Sequence, residues 1–226
     1  MPESGTFAVT SIRDQTAAIQ PLPIENVPRR IIDPNTLTDQ IDPKLSSSAD
    51  VYRLRMEIDG TETPVVVKVY RFSDARTPMA FPNEINRAQI ADQLGIGPRF
   101  HGIADLGDGR LAYIVDEVPG VTSKGAIAGQ DFGRYVTRQT LEDIRTIEAR
   151  LADNGFAVSG DFEFMITPDG RAVVIDPSAI LPEPSSSRLA QTGGIMDGKI
   201  RILMEARAES QGVPGMVRNT IDLWSG

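Results

Sequence analysis

A lysine in the middle of an apolar β-strand constrains this chain more than any other feature. The run "PVVVKVY", residues 64–70, is strongly β-forming and sets Lys68 among valines. Burying an ammonium is costly unless a counter-charge meets it. Either Lys68 points outward from an alternating strand, or a carboxylate from elsewhere reaches it. The next helical segment carries one. "NEINRAQIADQLG", residues 83–95, reads as a helix with Asn83 as its cap and Gly95 as its stop, and Glu84 falls in the first turn. A carboxylate there also suits the helix dipole on its own account. If the two meet, the glutamate orients the lysine toward an anion such as a phosphate.

Patterning around this pair gives the order of elements. "DVYRLRMEI" alternates apolar and polar residues and "DGTET" turns it back into the lysine strand. "PRFHGIADLGDGRLAYIVDEVPG" reads as two strands joined at "LGDGR". In "TRQTLEDIRTIEARLADNG", Leu141, Ile144, Ile147 and Leu151 recur at helical spacing, with Thr140 as the expected cap. "FMITPDGRAVVID" is a hairpin turning at Pro168–Asp169–Gly170, and "MDGKIRILMEARAESQG" is a helix ending at Gly212. "VPGMVRNTIDLWSG" is expected to form a short helix. Hairpins alternating with helices, strands early and helices late, predict an α+β protein in two lobes. Residues 1–44 are different. The prolines of "IQPLPIENVPRRIIDPNTLTDQIDPK" forbid a continuous helix, which predicts an extended, partly disordered arm. "PRRII" is its one segment suited to packing on the domain, and residues 1–30 are expected to be dispensable for folding.

Composition excludes several functions. The net charge is −8 across 226 residues, which argues against nucleic acid and against anionic lipid as partners. No cysteine is present, so disulfides, zinc–thiolate sites and thiol nucleophiles are out. His101 is the only histidine, which leaves little room for a serine–histidine–aspartate triad. No apolar run approaches membrane-spanning length, and no basic-then-apolar start marks a secretory signal.

Three further stretches carry chemistry-bearing groups. "KLSSSADVYRL" puts Ser46, Ser47 and Ser48 at the mouth of the first hairpin, where small residues let backbone N–H groups approach an anion. "YIVDEVPG" offers main-chain groups of Glu117 and Val118 to the edge of a planar base. "GDFEFMITPDGRAVVID" holds Asp161 and Glu163 before a hairpin and Asp176 at the end of its apolar second strand. Three carboxylates brought together repel one another and gain most from sharing Mg²⁺. Each feature taken singly also has a plain reading, as a polar turn, a strand end or a solvated face.

Taken in order, these features resemble the protein-kinase-like fold over about residues 45–180. The order is small-residue loop, "VVVKV" with Lys68, helix-borne Glu84, "LGIGPRFHG", hinge-like "YIVDEVPG", catalytic-loop-like "GDFEFM" and Asp176. The short chain further resembles the minimal kinases that bacteria deliver into host cells by type III secretion. The resemblance implies a first lobe over about 45–118 and a reduced helical lobe over about 119–226. It implies ATP and Mg²⁺ as cofactors. Lys68, held by Glu84, would contact the α/β-phosphates, with Ser46, Ser47 and Ser48 beside them and Glu117 and Val118 against the adenine. Asp176, with Glu163, would hold the metal, and Asp161 would orient the acceptor hydroxyl. The substrate implied is a protein of a host cell, reached after export from the bacterial cytoplasm, and the enzyme implied is a monomer. Departures from the family are specific. Ser159 stands where His or Tyr usually precedes the catalytic aspartate, and Ile166 stands where the second metal ligand falls. Family spacing counted back from Asp176 reaches Glu163 instead. Pro177–Ser178 replaces the usual Phe-Gly. Alternatives therefore stay open: a pseudokinase binding module, small-molecule phosphorylation, AMP transfer to a hydroxyl, or an α+β domain whose charges are merely surface groups.

Overall fold

Alternating strands from the first half of the chain assemble one six-stranded sheet. Its members are β1 (Arg29–Ile31), β2 (Asp39–Gln40), β3 (Ala49–Ile58), β4 (Thr61–Tyr70), β5 (Phe100–Asp105) and β6 (Leu111–Asp116), in the order β1-β5-β6-β4-β3-β2. The computed structural model describes residues 19–41, 49–71, 77–123, 132–182 and 185–212, with 77–79 as backbone only. β3 and β4 form the predicted hairpin. Its turn residues Asp59 and Gly60 both have positive φ, the geometry that Asp-Gly favours and that matches the twist of paired strands. Register places Lys68 opposite Val51 on β3 and opposite Tyr113 on β6. Directly opposed residues share a face, so Val66, Lys68, Tyr70, Tyr113 and Val115 all point one way. Val65, Val67, Val69, Ala112 and Ile114 point the other way into a separate apolar layer with Ile32.

Helix α1 (Thr77–Gln93) covers the lysine face, burying Phe81, Ile85 and Ala88 against Tyr70 and Tyr113. It starts before Asn83, the expected cap, and carries Pro82 inside. Packing overrides the local preference: Phe81 meets the Tyr70 ring edge-on at 5.4 Å and holds the turn ahead of the proline. The rest of the chain adds β7 (Val121–Thr122), α2 (Arg138–Asp153), β8 (Ala157–Val158), β9 (Phe164–Ile166), β10 (Ala172–Val174), β11 (Ile180–Leu181) and α3 (Ser186–Ser210). β10-β9-β7 make a small sheet and β11-β8 a two-stranded one. α2 follows the predicted periodicity, with Ile144, Ile147 and Leu151 buried. Its cap is Thr137 rather than Thr140; Thr140 is the third helical residue and completes a capping box. α3 begins well ahead of the predicted Met196. One core joins α2, α3, the small sheets and the C-terminal end of α1. The architecture is mixed α+β, and no helix among the described residues is long and apolar enough to cross a membrane.

The arm is corrected in part. Residues 1–18 and 42–48 lie outside the described residues, and with them Ser46, Ser47 and Ser48; residues 213–226, expected as a short helix, do too. Residues 19–41 contribute to the sheet, so the division at 44/45 cuts through it. β1 pairs in parallel with β5, from Arg29 opposite Ile103 to Ile31 opposite Asp105. Val27 and Ile32 are buried. Gly102 makes this approach feasible: its φ is +120°, and a Cβ there would collide with the Pro28 carbonyl. Accordingly, a chain beginning at Ile32 should melt several degrees below one beginning at Ile19, and Gly102→Ala should cost on the order of 2 kcal/mol or more. Calorimetric melting of these variants checks both; equal melting points would return the arm to a dispensable appendage.

Candidate functional site

The charges that the sequence singled out meet between β4 and α1. Lys68 Nζ lies 4.0 Å from Glu84 Oε1, and the two side chains are only 19% and 14% exposed. The strand supplies the lysine because its alternation turns residue 68 to the α1 face. The helix supplies the glutamate one turn from Phe81 and beside Ile85, the residues that seat it. Two tyrosines complete the cluster. Tyr113, opposite Lys68 in register, donates its hydroxyl to Glu84 Oε1 at 3.2 Å, and Lys68 Nζ stands 5.6 Å from its ring centroid. Tyr70, two residues along the lysine face, is close enough for its phenol to feel the Glu84 charge. Burial, and then the Glu84 charge, push both phenols well above the ordinary tyrosine range.

A second contact ties this cluster to the far end of the chain. Lys68 Nζ donates to the Ile175 carbonyl at 3.1 Å, directly before Asp176. From α1, Arg87 donates to the Ser178 carbonyl at 2.7 Å. Asp176 is thus bracketed by two cations anchored on its neighbours' main chain. Its own carboxylate caps a short 3-10 turn over Pro177–Ala179, with Oδ1 accepting from the Ser178 amide at 3.1 Å and the Ser178 hydroxyl at 2.5 Å. The negative charge of Asp176 is near enough to contribute to raising Tyr70 and Tyr113.

Asp161 and Glu163 arrive by the paired small strands. β8 pairs with β11, and the Ser159 amide continues that pairing to the Ala179 carbonyl. The chain then makes a tight turn, closed by the Phe162 amide on the Ser159 carbonyl at 3.2 Å, which leaves Asp161 exposed near its tip. The Glu163 carbonyl accepts from the Ile175 amide at 3.3 Å, at the open end of the β9–β10 hairpin. The expected three-carboxylate metal cluster is not formed: among the described residues no three acidic or histidine side chains gather in a group that could hold a metal ion. Asp176 and Glu163 remain a pair of hard oxygen donors on adjoining segments, which suits Mg²⁺ more than a softer metal. Ile166 is buried in β9 and provides no ligand.

On the opposite side, the Glu117 amide is already used, donating to the Pro64 carbonyl at 3.0 Å, and its carboxylate meets Arg53 Nε at 2.9 Å. The Glu117 carbonyl and Val118 main chain are what remain for a base edge. Sequence reading missed Tyr70, Tyr113, Arg87 and Ser178. The first two were readable from strand alternation, Arg87 from its three-residue spacing to Glu84, and Ser178 from the Asp-x-Ser capping pattern. Neither a scan against protein-family models nor a search of curated proteins finds a match for this chain.

The raised phenols predict an alkaline limit. A folded-state pKa above the unfolded value means stability is fully present below about pH 10 and is lost as pH rises beyond it. Each tyrosine adds up to about 1.4 kcal/mol per pH unit to that decline. Tyr113→Phe should therefore make the fall above pH 10 shallower while costing on the order of 1 kcal/mol at pH 7. Denaturant melts at pH 7 to 11 test this; parallel curves for parent and variant would contradict it.

Proposed function

We propose that this chain is an ATP-dependent phosphotransferase of protein-kinase-like, two-lobed architecture. The observation carrying the reading is the Lys68–Glu84 ion pair between β4 and α1, with the same lysine bonded to the residue before Asp176. A buried lysine needs one carboxylate to neutralise it. Here it is also turned toward a second acidic segment, the arrangement required to hold a phosphate chain between a cation and a metal ion. Lys68 would meet the α/β-phosphates and Glu84 would keep it in place. Mg²⁺ would be held by Asp176 with Glu163, and would neutralise charge on the phosphates. Exposed Asp161, at the tip of its turn, would orient the acceptor hydroxyl. The Glu117 carbonyl and Val118 would border the base. The acceptor we favour is a hydroxyl of a protein, met in a host cell after export, and this part of the proposal follows from the resemblance to secreted minimal kinases.

A second reading is favoured by two specific observations. Ile166 fills the position of a metal ligand, and one oxygen of Asp176 is committed to Ser178. A nucleotide-binding module without transfer would tolerate both.

Thermal melting with and without ATP and Mg²⁺ tests the common core of these readings. The parent should gain several degrees at saturating nucleotide, and Lys68→Met and Asp176→Ala should lose that gain while remaining folded. Asp161→Ala should keep it and lose transfer by about two decades or more. No shift in the parent sinks nucleotide binding; a shift without transfer to any protein leaves the binding module.

A further inference from the structure

We propose that residues 19–28 form a strap that holds α1 on the sheet, and that Gln89 is the positioning residue through which it keeps Glu84 within reach of Lys68. Its consequence for catalysis rests on the phosphotransferase reading, but its geometry does not. Gln89 is buried, at 5% exposure, and spends its whole amide on one residue of the strap. Its Oε1 accepts from the Leu22 amide at 2.8 Å and its Nε2 donates to the Leu22 carbonyl at 3.1 Å. A glutamine used this way imitates a neighbouring strand, satisfying donor and acceptor together. One helical turn on, Gln93 Nε2 donates to the Gln20 carbonyl at 3.4 Å. Val27 is buried in the same apolar cluster as Phe81, Ile85 and Ala88, with Ile24 packed against it.

The other end of the strap is fixed to the sheet. The Ile103 amide donates to the Pro28 carbonyl at 2.8 Å, and β1 follows directly. The strap therefore spans from β5 to the helix. Gln89 lies five residues after Glu84, about 140° further around α1 at 3.6 residues per turn. Glu84 faces β4 and β6, while Gln89 is gripped from another side, so the strap opposes outward movement of the helix. The pair it protects is already at 4.0 Å, and a small displacement would part the charges. Lys68 would then be released from its carboxylate without any change in the sheet.

Amine reactivity reads this directly and needs no nucleotide. Lys68 is labelled in the folded protein with a limiting amine-reactive acylating reagent, and its modification is compared with that of Lys199 on α3 as internal reference. Gln89→Leu, which keeps the size and removes both bonds, should raise Lys68 labelling several-fold. Glu84→Gln should raise it too. The double variant should be labelled no more than Glu84→Gln alone, because the glutamine acts only through the glutamate. Unchanged Lys68 labelling in folded Gln89→Leu overturns the proposal, as does a double variant in which the two effects multiply. Should Gln89→Leu not fold, Gln89→Glu keeps the bond from the Leu22 amide and loses the one to its carbonyl; it is judged by the same comparisons and should give a smaller rise. A parent that never binds ATP would sink the nucleotide reading and leave these labelling outcomes unaffected.

Discussion

Glu84 is a carboxylate placed where water hardly reaches it, and the arrangement of three elements follows from neutralising it. Leaving such a charge unpaired would cost several kcal/mol. Lys68 from β4 supplies the opposite charge, Tyr113 from β6 supplies a hydroxyl donor, and the Tyr70 phenol stands beside them. At 4.0 Å and an effective dielectric near 20, the gross attraction of the ion pair is about 4 kcal/mol, most of it offset by the desolvation of both partners. The net gain lies in specificity. Only one seating of α1 on the sheet brings the glutamate to the lysine and both phenols at once, so the polar cluster selects a helix position that apolar packing of Phe81, Ile85 and Ala88 would leave free to slide.

The same lysine passes that constraint on to the second half of the chain. Its Nζ has donors to spare after facing Glu84, and one goes to the Ile175 carbonyl. Arg87, three residues along α1, reaches the Ser178 carbonyl. Helix, strand and the 175–178 segment are thus tied to one another. A further link runs from the other direction, where the Val174 amide donates to the Ile96 carbonyl in the turn after α1. Whatever shifts α1 shifts the backbone on both sides of Asp176. This coupling is carried by main-chain carbonyls and not by side-chain identity, so substitutions at 175 or 178 alone would disturb it little unless they moved the backbone.

Much of this was legible in the residues, and the limits have physical causes. The β3–β4 hairpin was announced by alternation and by Asp59–Gly60, both local signals. The helix α2 was announced by its apolar spacing. The Lys68–Glu84 pair was legible because a lone ammonium in a valine-rich strand demands a carboxylate. The start of α1 was not, since Pro82 is a local stop that a distant ring, Tyr70, overrules. The first turns of α3 contain Gly193 and Gly194, poor helix formers on their own, and their use depends on neighbours: a Cβ at Gly193 would lie 3.3 Å from Glu148 on α2. β1 was legible as "PRRII", the segment of the arm suited to packing on the domain, but its parallel pairing with β5 was hidden because it depends on the missing Cβ of Gly102, far away in sequence. The capping of Asp176 by Ser178 was a local signal left unread.

That cap shapes what Asp176 is able to do. A carboxylate that accepts two hydrogen bonds on Oδ1 is oriented before any cation arrives, which removes rotamer freedom from the cost of binding. The same bonds withdraw electron density from that oxygen, so a cation would be served chiefly by the other. Pro177 stiffens the arrangement further, since its ring fixes φ at the first position of the short turn. Buried Pro177 and Ala179 then anchor the turn in the core. The segment after Asp176 is consequently held by a proline, a cap and two cation–carbonyl bonds, each acting on the backbone. A segment restrained in this way has little freedom to swing the aspartate in and out of the site. Control over the site therefore acts through the seating of α1, whose glutamate stands 4.0 Å from Lys68 and whose Arg87 holds the Ser178 carbonyl.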